Sequence, residues 1–270
     1  LSCGEVYRRV LHRHRRWIHG SLSGMPLIAD AFSSTVRPVL RGRFGAVAAA
    51  HPLAVAAGQE LLTSGASAAD AAIAAQAVLC VIMPDACGLG GDMLAQVHVP
   101  GTALQGINGT GRAPMHLRQI ADDGPNSVTV PGIVDTWCRL SQQYGRVSLA
   151  SALAPAIRLA RAGTRVSGLL SATLGRHRER LGRGGATCWA LFDAHTDALV
   201  RQPELGSLLE RVGSDGREAF YQGDAARHIA QAIGALGGAL DEEDLSAHET
   251  VIAAPVETQW DEFTLSSQPP

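Results

Sequence analysis

The stretch that decides the fold begins at Ser67-Ala68-Ala69-Asp70-Ala71 and runs through Met83-Pro84 to Cys87-Gly88-Leu89-Gly90-Gly91-Asp92-Met93-Leu94-Ala95-Gln96-Val97. Ser67 with an acidic residue three positions on is a capping box, so a helix is expected over residues 71–83, closed by Pro84. Its surface is almost wholly Ala, Ile, Val and Leu, and a helix apolar all round must be enclosed by the protein. Beyond the glycine turn, residues 93–99 read as a strand, Gly101-Thr102 as a turn and residues 103–108 as the partner strand of a hairpin.

Outward from that stretch, the same signals organise the rest. Residues 45–50, Gly-Ala-Val-Ala-Ala-Ala, suit a short buried strand, and His51-Pro52 then opens a helix to about Thr63 that stops at Gly65. Ser148 caps a helix over 150–162 that Gly163 ends, with Pro155 kinking it or lying near its start. Residues 221–236 form an amphipathic helix ended by Gly237-Gly238, and Asp241 with Asp244 starts a short one. Residues 256–265 read as an exposed, partly apolar strand. This mixed order favours an α+β arrangement over regular βαβ alternation.

Composition narrows the function. The 270 residues, 46% hydrophobic and 4% aromatic, can build one large core or two small ones. All 23 basic side chains are Arg, which excludes a Lys nucleophile, a Schiff base and a Walker-type phosphate loop. A net charge of -2 removes the main electrostatic case for nucleic-acid binding by the body of the protein. The basic run from Arg8 to Arg16 sets residues 1–24 apart as an arm, and Met25 reads as the natural start. No apolar region of signal-peptide or membrane-span character is found, so a cytoplasmic location is expected, with the periplasm as the alternative. Cys3, Cys80, Cys87, Cys138 and Cys188 form an odd set without CxxC spacing, indicating neither a disulfide framework nor a zinc site; Cys80 and Cys87 read as small buried hydrophobes.

Local chemistry is sparse. A phosphate-binding reading of Gly88-x-Gly90-Gly91 needs a strand before and a helix after, the reverse of the order here. The glycines more simply allow positive φ or close backbone packing where helix meets sheet. Asp92 is either a catalytic carboxylate or, more commonly for its position, an acceptor for the N–H groups of that turn. The histidines show no metal-ligand spacing, and His177, His195, His228 and His248 read as surface or helix-face residues. Neither a cofactor nor a metal is expected, and no Gly-x-Ser-x-Gly nucleophile elbow is present.

Taken in order, several stretches resemble the γ-glutamyltranspeptidase family of N-terminal nucleophile hydrolases. They are His51-Pro52-Leu53-Ala54, residues 61–72, Gly88-Leu89-Gly90-Gly91, Gly111-Arg112-Ala113-Pro114, Val130-Pro131-Gly132, Tyr144-Gly145, residues 155–163, Phe220-Tyr221-Gln222-Gly223 and Asp244-Leu245-Ser246-Ala247-His248. The resemblance implies an αββα sandwich and a precursor that cuts itself into a large and a small chain. The small chain would begin with a Thr acting as nucleophile and, through its own α-amine, as general base.

By that resemblance residues 25–270 are a large-chain domain truncated at its C-terminal end. No catalytic residue lies in this chain, which alone would be inactive, and its partner is the small subunit of the same precursor. Thr110 stands where typical members carry an Arg that grips the substrate α-carboxylate, and Asp92 where they carry another Gly. Arg112, on the same face if the segment is extended, either substitutes in part or makes a local ion pair. The substrate-binding candidates are therefore Thr110, Arg112, Asp92, Gly90 and Gly91. The departures resemble a divergent branch of acylases and small-amide hydrolases. A γ-glutamyl or other small amide is the implied substrate; the alternative function is a non-catalytic binding or scaffold protein.

Overall fold

A computed structural model describes residues 42–269. In chain order its helices are α1 (Pro52–Thr63), α2 (Ala68–Ile82), α3 (Ile133–Tyr144), α4 (Leu149–Ala162), α5 (Gly168–Arg183), α6 (Pro203–Asp215), α7 (Glu218–Tyr221), α8 (Gly223–Ala235) and α9 (Glu242–Ser246). The strands are β1 (Met93–Val97), β2 (Gln105–Gly109), β3 (Thr164–Arg165), β4 (Leu199–Val200), β5 (Val251–Ala253), β6 (Val256–Trp260) and β7 (Phe263–Ser267).

Local signals place the first two helices. His51 is extended at the N-cap of α1, its Nδ1 accepts from the Leu53 N–H at 3.1 Å, and Pro52 fills the first helical position, where a missing N–H costs nothing. At the start of α2 the expected capping box is complete: Ser67 Oγ accepts from Asp70 N, and Asp70 Oδ2 accepts from Ser67 N. The same Asp70 oxygen accepts from Arg146 N at 2.9 Å, so one buried carboxylate joins the start of α2 to the approach of α4. Ile73, Ala74, Ala77 and Val78 have no exposure, which makes α2 the enclosed helix the composition required. Small residues let its neighbours come close: a Cβ on Gly58 would lie 3.0 Å from the Ala71 carbonyl oxygen. Trp137 of α3 is buried and donates Nε1–H to Gln76 Oε1 at 2.8 Å, locking α3 onto α2.

Ser148 caps α4 and Gly163 ends it at φ +93, with the buried Pro155 inside the helix rather than near its start. The central sheet is antiparallel with order β1-β2-β5, and its register pairs Met93 with Gly109, and Ile107 with both Ala95 and Ile252. Met93, Ala95 and Val97 turn towards the helices. The opposite face leaves Leu94 and Val251 each 48% exposed in the row that Asn108 shares. The class is thus α+β, with helices packed on one side of the sheet. A satellite core of Val166, Leu170, Leu174 and Leu191 carries α5 and the β3–β4 pair.

Three sequence expectations are corrected. Residues 45–50 are extended but form no strand; only Val47 and Ala49 lean on the core, and an apolar run without a partner edge gains no ladder bonds. The helix expected over 221–236 is interrupted: Tyr221 ends α7, Gln222 is extended, and Gly223 at φ +64 begins α8. Residues 256–265 are two strands, not one, because Asp261 at φ +55 turns the chain back so that Trp260 faces Phe263. The arm at 1–24 and Met25 lie outside the described residues. No helix among the described residues is long and apolar enough to cross a membrane.

Candidate functional site

The five candidates converge. Gly91 N donates to Gly88 O at 2.9 Å to close the turn, and the Gly91 carbonyl then accepts from Gly132 N at 3.0 Å and Ile133 N at 3.1 Å. Gly132 has no side chain with which to cap α3, so the glycine turn supplies the acceptor that the first helical N–H groups lack. Asp92 does not serve its own turn as expected: its Oδ1 accepts from Gly111 N at 3.1 Å, reaching across to the segment that carries Thr110 and Arg112. Two stretches nineteen residues apart are thereby pinned into one surface.

Each exposed side chain on that surface has a definable state. Thr110 is committed: its N–H and Oγ1 both reach Asn108 Oδ1, at 2.9 and 2.6 Å, which leaves the hydroxyl no hydrogen for an anion. Asn108 Nδ2 in turn donates to Pro269 O at 3.2 Å, so the segment after β7 lies beside this site. Arg112 uses its backbone carbonyl to accept from Val130 N, while its exposed guanidinium has no ion-pair partner among the described residues. The local ion pair considered for it is therefore not formed.

The glycines split into two kinds. Gly88, Gly90 and Gly91 do not have positive φ, and a Cβ on Gly90 would meet nothing within 4 Å. The positive-φ reading of the turn is thus corrected. Close packing is found within it at Gly91, where a Cβ would lie 3.2 Å from Gly88 O, and far more severely behind it: a Cβ would lie 1.8 Å from Thr136 Oγ1 at Gly109, 1.5 Å from Val130 O at Gly111 and 1.7 Å from Gly109 O at Gly132. No side chain fits at those three positions.

Beneath the junction lies a polar network that the periodic patterns did not reveal. Asp135, buried in the first turn of α3, accepts from Arg217 Nε at 2.9 Å and from Thr250 N at 2.7 Å. Burial works against its charge, but the bonds from Thr250 and Arg217 outweigh it and hold the carboxyl below the ordinary range. Arg217 Nη2 also donates to His248 O at 2.6 Å. Tyr221 donates its hydroxyl to Pro131 O at 2.8 Å and accepts from Asp135 N at 3.1 Å.

His248 is not a surface residue. It is 4% exposed, stacks on Tyr221 at 5.4 Å, and its Nε2 has no hydrogen-bond partner among the described residues. Burial lowers its pKa, and the attraction of Asp135 does not restore it. The only hint of this network in the sequence was that Phe220-Tyr221 and Asp244–His248 fell within the resembling stretches; the pairing itself depends on contacts about 80 to 115 residues apart in the chain.

A cleft of about 700 Å³ lies elsewhere, lined by groups including His177, Arg180 and Trp189, and by none of the five candidates. Its size is no guide to the chemistry, because Arg180 and Arg183 there already pair with Asp123. Among the described residues, no group of three or more His, Cys, Asp and Glu side chains could hold a metal ion.

The chain is similar to known proteins. A model of the family described as gamma-glutamyltranspeptidase matches residues 54–270. A glutathione hydrolase-like YwrD proenzyme of Bacillus subtilis is 33% identical over 239 residues, covering 83% of this chain and 45% of its own length. An acylase ACY 1 proenzyme of a Pseudomonas species is 29% identical, covering 91% of this chain and 48% of its own. The chain therefore spans about half the length of the curated relatives it matches. In three dimensions it is similar to the γ-glutamyltranspeptidase of Helicobacter pylori, with a TM-score of 0.81 at 27% identity, covering 86% of this chain and 72% of that one.

Proposed function

The chain belongs to the γ-glutamyltranspeptidase family, and from that premise we propose that it is the large-chain portion of a self-processing enzyme that hydrolyses or transfers the acyl group of a small amide. The observation that carries this reading is the Asp92–Gly111 bond, which fixes the glycine turn beside an exposed Arg112 that has no ion-pair partner among the described residues. A planar guanidinium held there suits a carboxylate on the acyl group, which it can bind in a bidentate way. Thr110, with its hydroxyl spent on Asn108, makes no such contact.

The reacting groups belong to the small chain of the same precursor. The hydroxyl of its N-terminal Thr attacks the amide carbon while the Thr α-amine takes the hydroxyl proton. That proton passes to the departing amine, leaving an ester on the Thr, and water or a second amine then attacks the ester and frees the Thr. In this scheme the present chain positions the substrate. Arg112 anchors the acyl carboxylate, and the turn 88–92 leaves room for the reacting end. The open sheet face, with Leu94 and Val251 half exposed, is where the second sheet of the αββα sandwich packs. The exposed Val256, Trp260, Phe263 and Leu265 of the β6–β7 hairpin offer further apolar surface to the small chain. Alone, this chain is inactive.

The test uses the full-length gene product. Mass spectrometry of the purified protein should find two chains, one starting with Thr. Turnover should then be measured on a γ-glutamyl anilide, a glutaryl amide and a small dicarboxylic monoamide. A single uncleaved chain that turns over none of the three would overturn the proposal and favour a scaffold that keeps the fold without the chemistry.

A further inference from the structure

We propose that Cys80 and Cys87 form a reversible disulfide when the protein meets a hydroperoxide, making a redox-sensitive modification site directly behind the glycine turn. Their sulfurs lie 3.5 Å apart, one in the last turns of α2 and the other in the loop that follows. The loop is held in this position, because Cys87 N donates to Met83 O at 2.9 Å. A disulfide requires about 2.05 Å between sulfurs, so they need to close by only about 1.5 Å. No such partner stands beside the other described cysteines, buried Cys138 and exposed Cys188, which remain free thiols.

The two thiols differ in access and in acidity, and that difference assigns their roles. Cys87 is half-buried, and a hydrogen bond from the Cys80 thiol to its sulfur holds its pKa below the ordinary value in spite of partial burial. Cys80 is 3% exposed, and donating to Cys87 together with burial pushes its pKa up. The thiolate of Cys87 is therefore the first nucleophile. It attacks the terminal peroxide oxygen, the O–O bond breaks, and the departing hydroxide or alkoxide takes a proton to become water or an alcohol, leaving a sulfenic acid on Cys87. The Cys80 sulfur then attacks the Cys87 sulfur, the S–O bond breaks, and the hydroxide leaves with the Cys80 proton as water. Two thiols lose two electrons in total, and one hydroperoxide gains them.

The position gives the modification a consequence. Cys87 precedes Gly88, whose carbonyl closes the turn through Gly91, and the Gly91 carbonyl caps α3. Drawing Cys87 towards α2 therefore pulls on the segment that holds the turn against the Gly132 junction. This inference stands apart from the acyl-transfer reading and does not need it to be correct.

The experiment exposes the reduced full-length protein to hydrogen peroxide, blocks remaining thiols with an alkylating reagent and follows the tryptic peptide 44–112, in which Cys80 and Cys87 are the two cysteines. The expected product is that peptide lighter by two hydrogens and unlabelled, with labelling of the pair falling about tenfold before Cys188 is appreciably consumed, and fully restored by dithiothreitol. Cys80→Ser should instead leave a sulfenic or sulfinic acid on Cys87, and Cys87→Ser should leave Cys80 a free thiol. The inference is overturned if both thiols of the wild-type peptide still label after Cys188 has been oxidised. It is equally overturned if Cys87 over-oxidises while Cys80 remains free.

Discussion

Two glycine-rich regions meet at the candidate site, and they are glycine-rich for different reasons. At the junction of Gly109, Gly111 and Gly132, backbone carbonyls and the Thr136 hydroxyl occupy the space any Cβ would need. At the turn of Gly88, Gly90 and Gly91, no φ is positive and Gly90 faces open space. The junction's glycines are demanded by this chain's own packing. At the turn the demand is uneven: a Cβ on Gly91 would lie 3.2 Å from the Gly88 carbonyl oxygen, a tight contact, whereas the room at Gly90 is unused by the described residues and is where the proposal places substrate and small chain.

Substitutions can break or sharpen this contrast. The largest effect is expected at Gly111→Ala, where the added methyl collides with the Val130 backbone, which cannot swing away as a side chain can. Destabilisation of about 4 kcal/mol or failure to fold should appear in denaturant titration. Asp135→Ala comes next, because it removes the carboxylate that joins α3 to Arg217 and Thr250, leaving the buried Thr250 N–H without its acceptor and a partly buried guanidinium without its counter-charge. About 3 kcal/mol should be lost at pH 7.

Acid should act on the same junction. His248 has a folded pKa below its ordinary 6.5, so the unfolded chain binds the proton more readily and stability falls as pH drops from about 6.5 towards the folded value. Asp135 adds a second loss below its ordinary 3.8, as pH falls through its depressed folded value. His248→Phe, which keeps an aromatic ring on Tyr221, should flatten the first step in thermal melts taken across that range while leaving the second; an unchanged slope would refute the assignment. The smallest effect on stability belongs to Gly90→Ala, with a change within about 1 kcal/mol because the methyl meets nothing. If the open space receives substrate, the same variant lowers turnover of the full-length enzyme, and unaltered kinetics would remove the turn from the site.

What the sequence made legible follows the range of each signal. Ser67 with Asp70, Asp241 with Asp244, Ser148 with Gly163, and His51 before Pro52 are cues contained within one element, and all four mark real helix ends. The β1–β2 hairpin was readable from two neighbouring strand patterns around Gly101-Thr102, although its strands stop at Val97 and restart at Gln105, a wider connection than that turn alone. Residues 45–50 misled because strand formation depends on a partner edge that an apolar pattern does not encode. The β6–β7 turn hid because Asp261, not a glycine, takes the positive φ. The burial of His248 and the reach of Asp92 to Gly111 depend on partners far along the chain, and no local period reports them. The family resemblance singled out the candidate residues as a set; how they are joined was not legible.

The central claim is that Arg112 offers its free guanidinium to a negatively charged acyl group. It is tested most directly by comparing kcat/KM of wild-type and Arg112→Ala full-length enzyme on a glutaryl amide and on its uncharged butyryl counterpart. Loss of one charge-assisted bidentate contact should lower kcat/KM about 10- to 100-fold on the glutaryl substrate, leave the butyryl value nearly unchanged and leave the melting temperature unaltered, since the side chain is exposed and has no ion-pair partner among the described residues. An equal loss on both substrates, or no loss on either, would contradict the account.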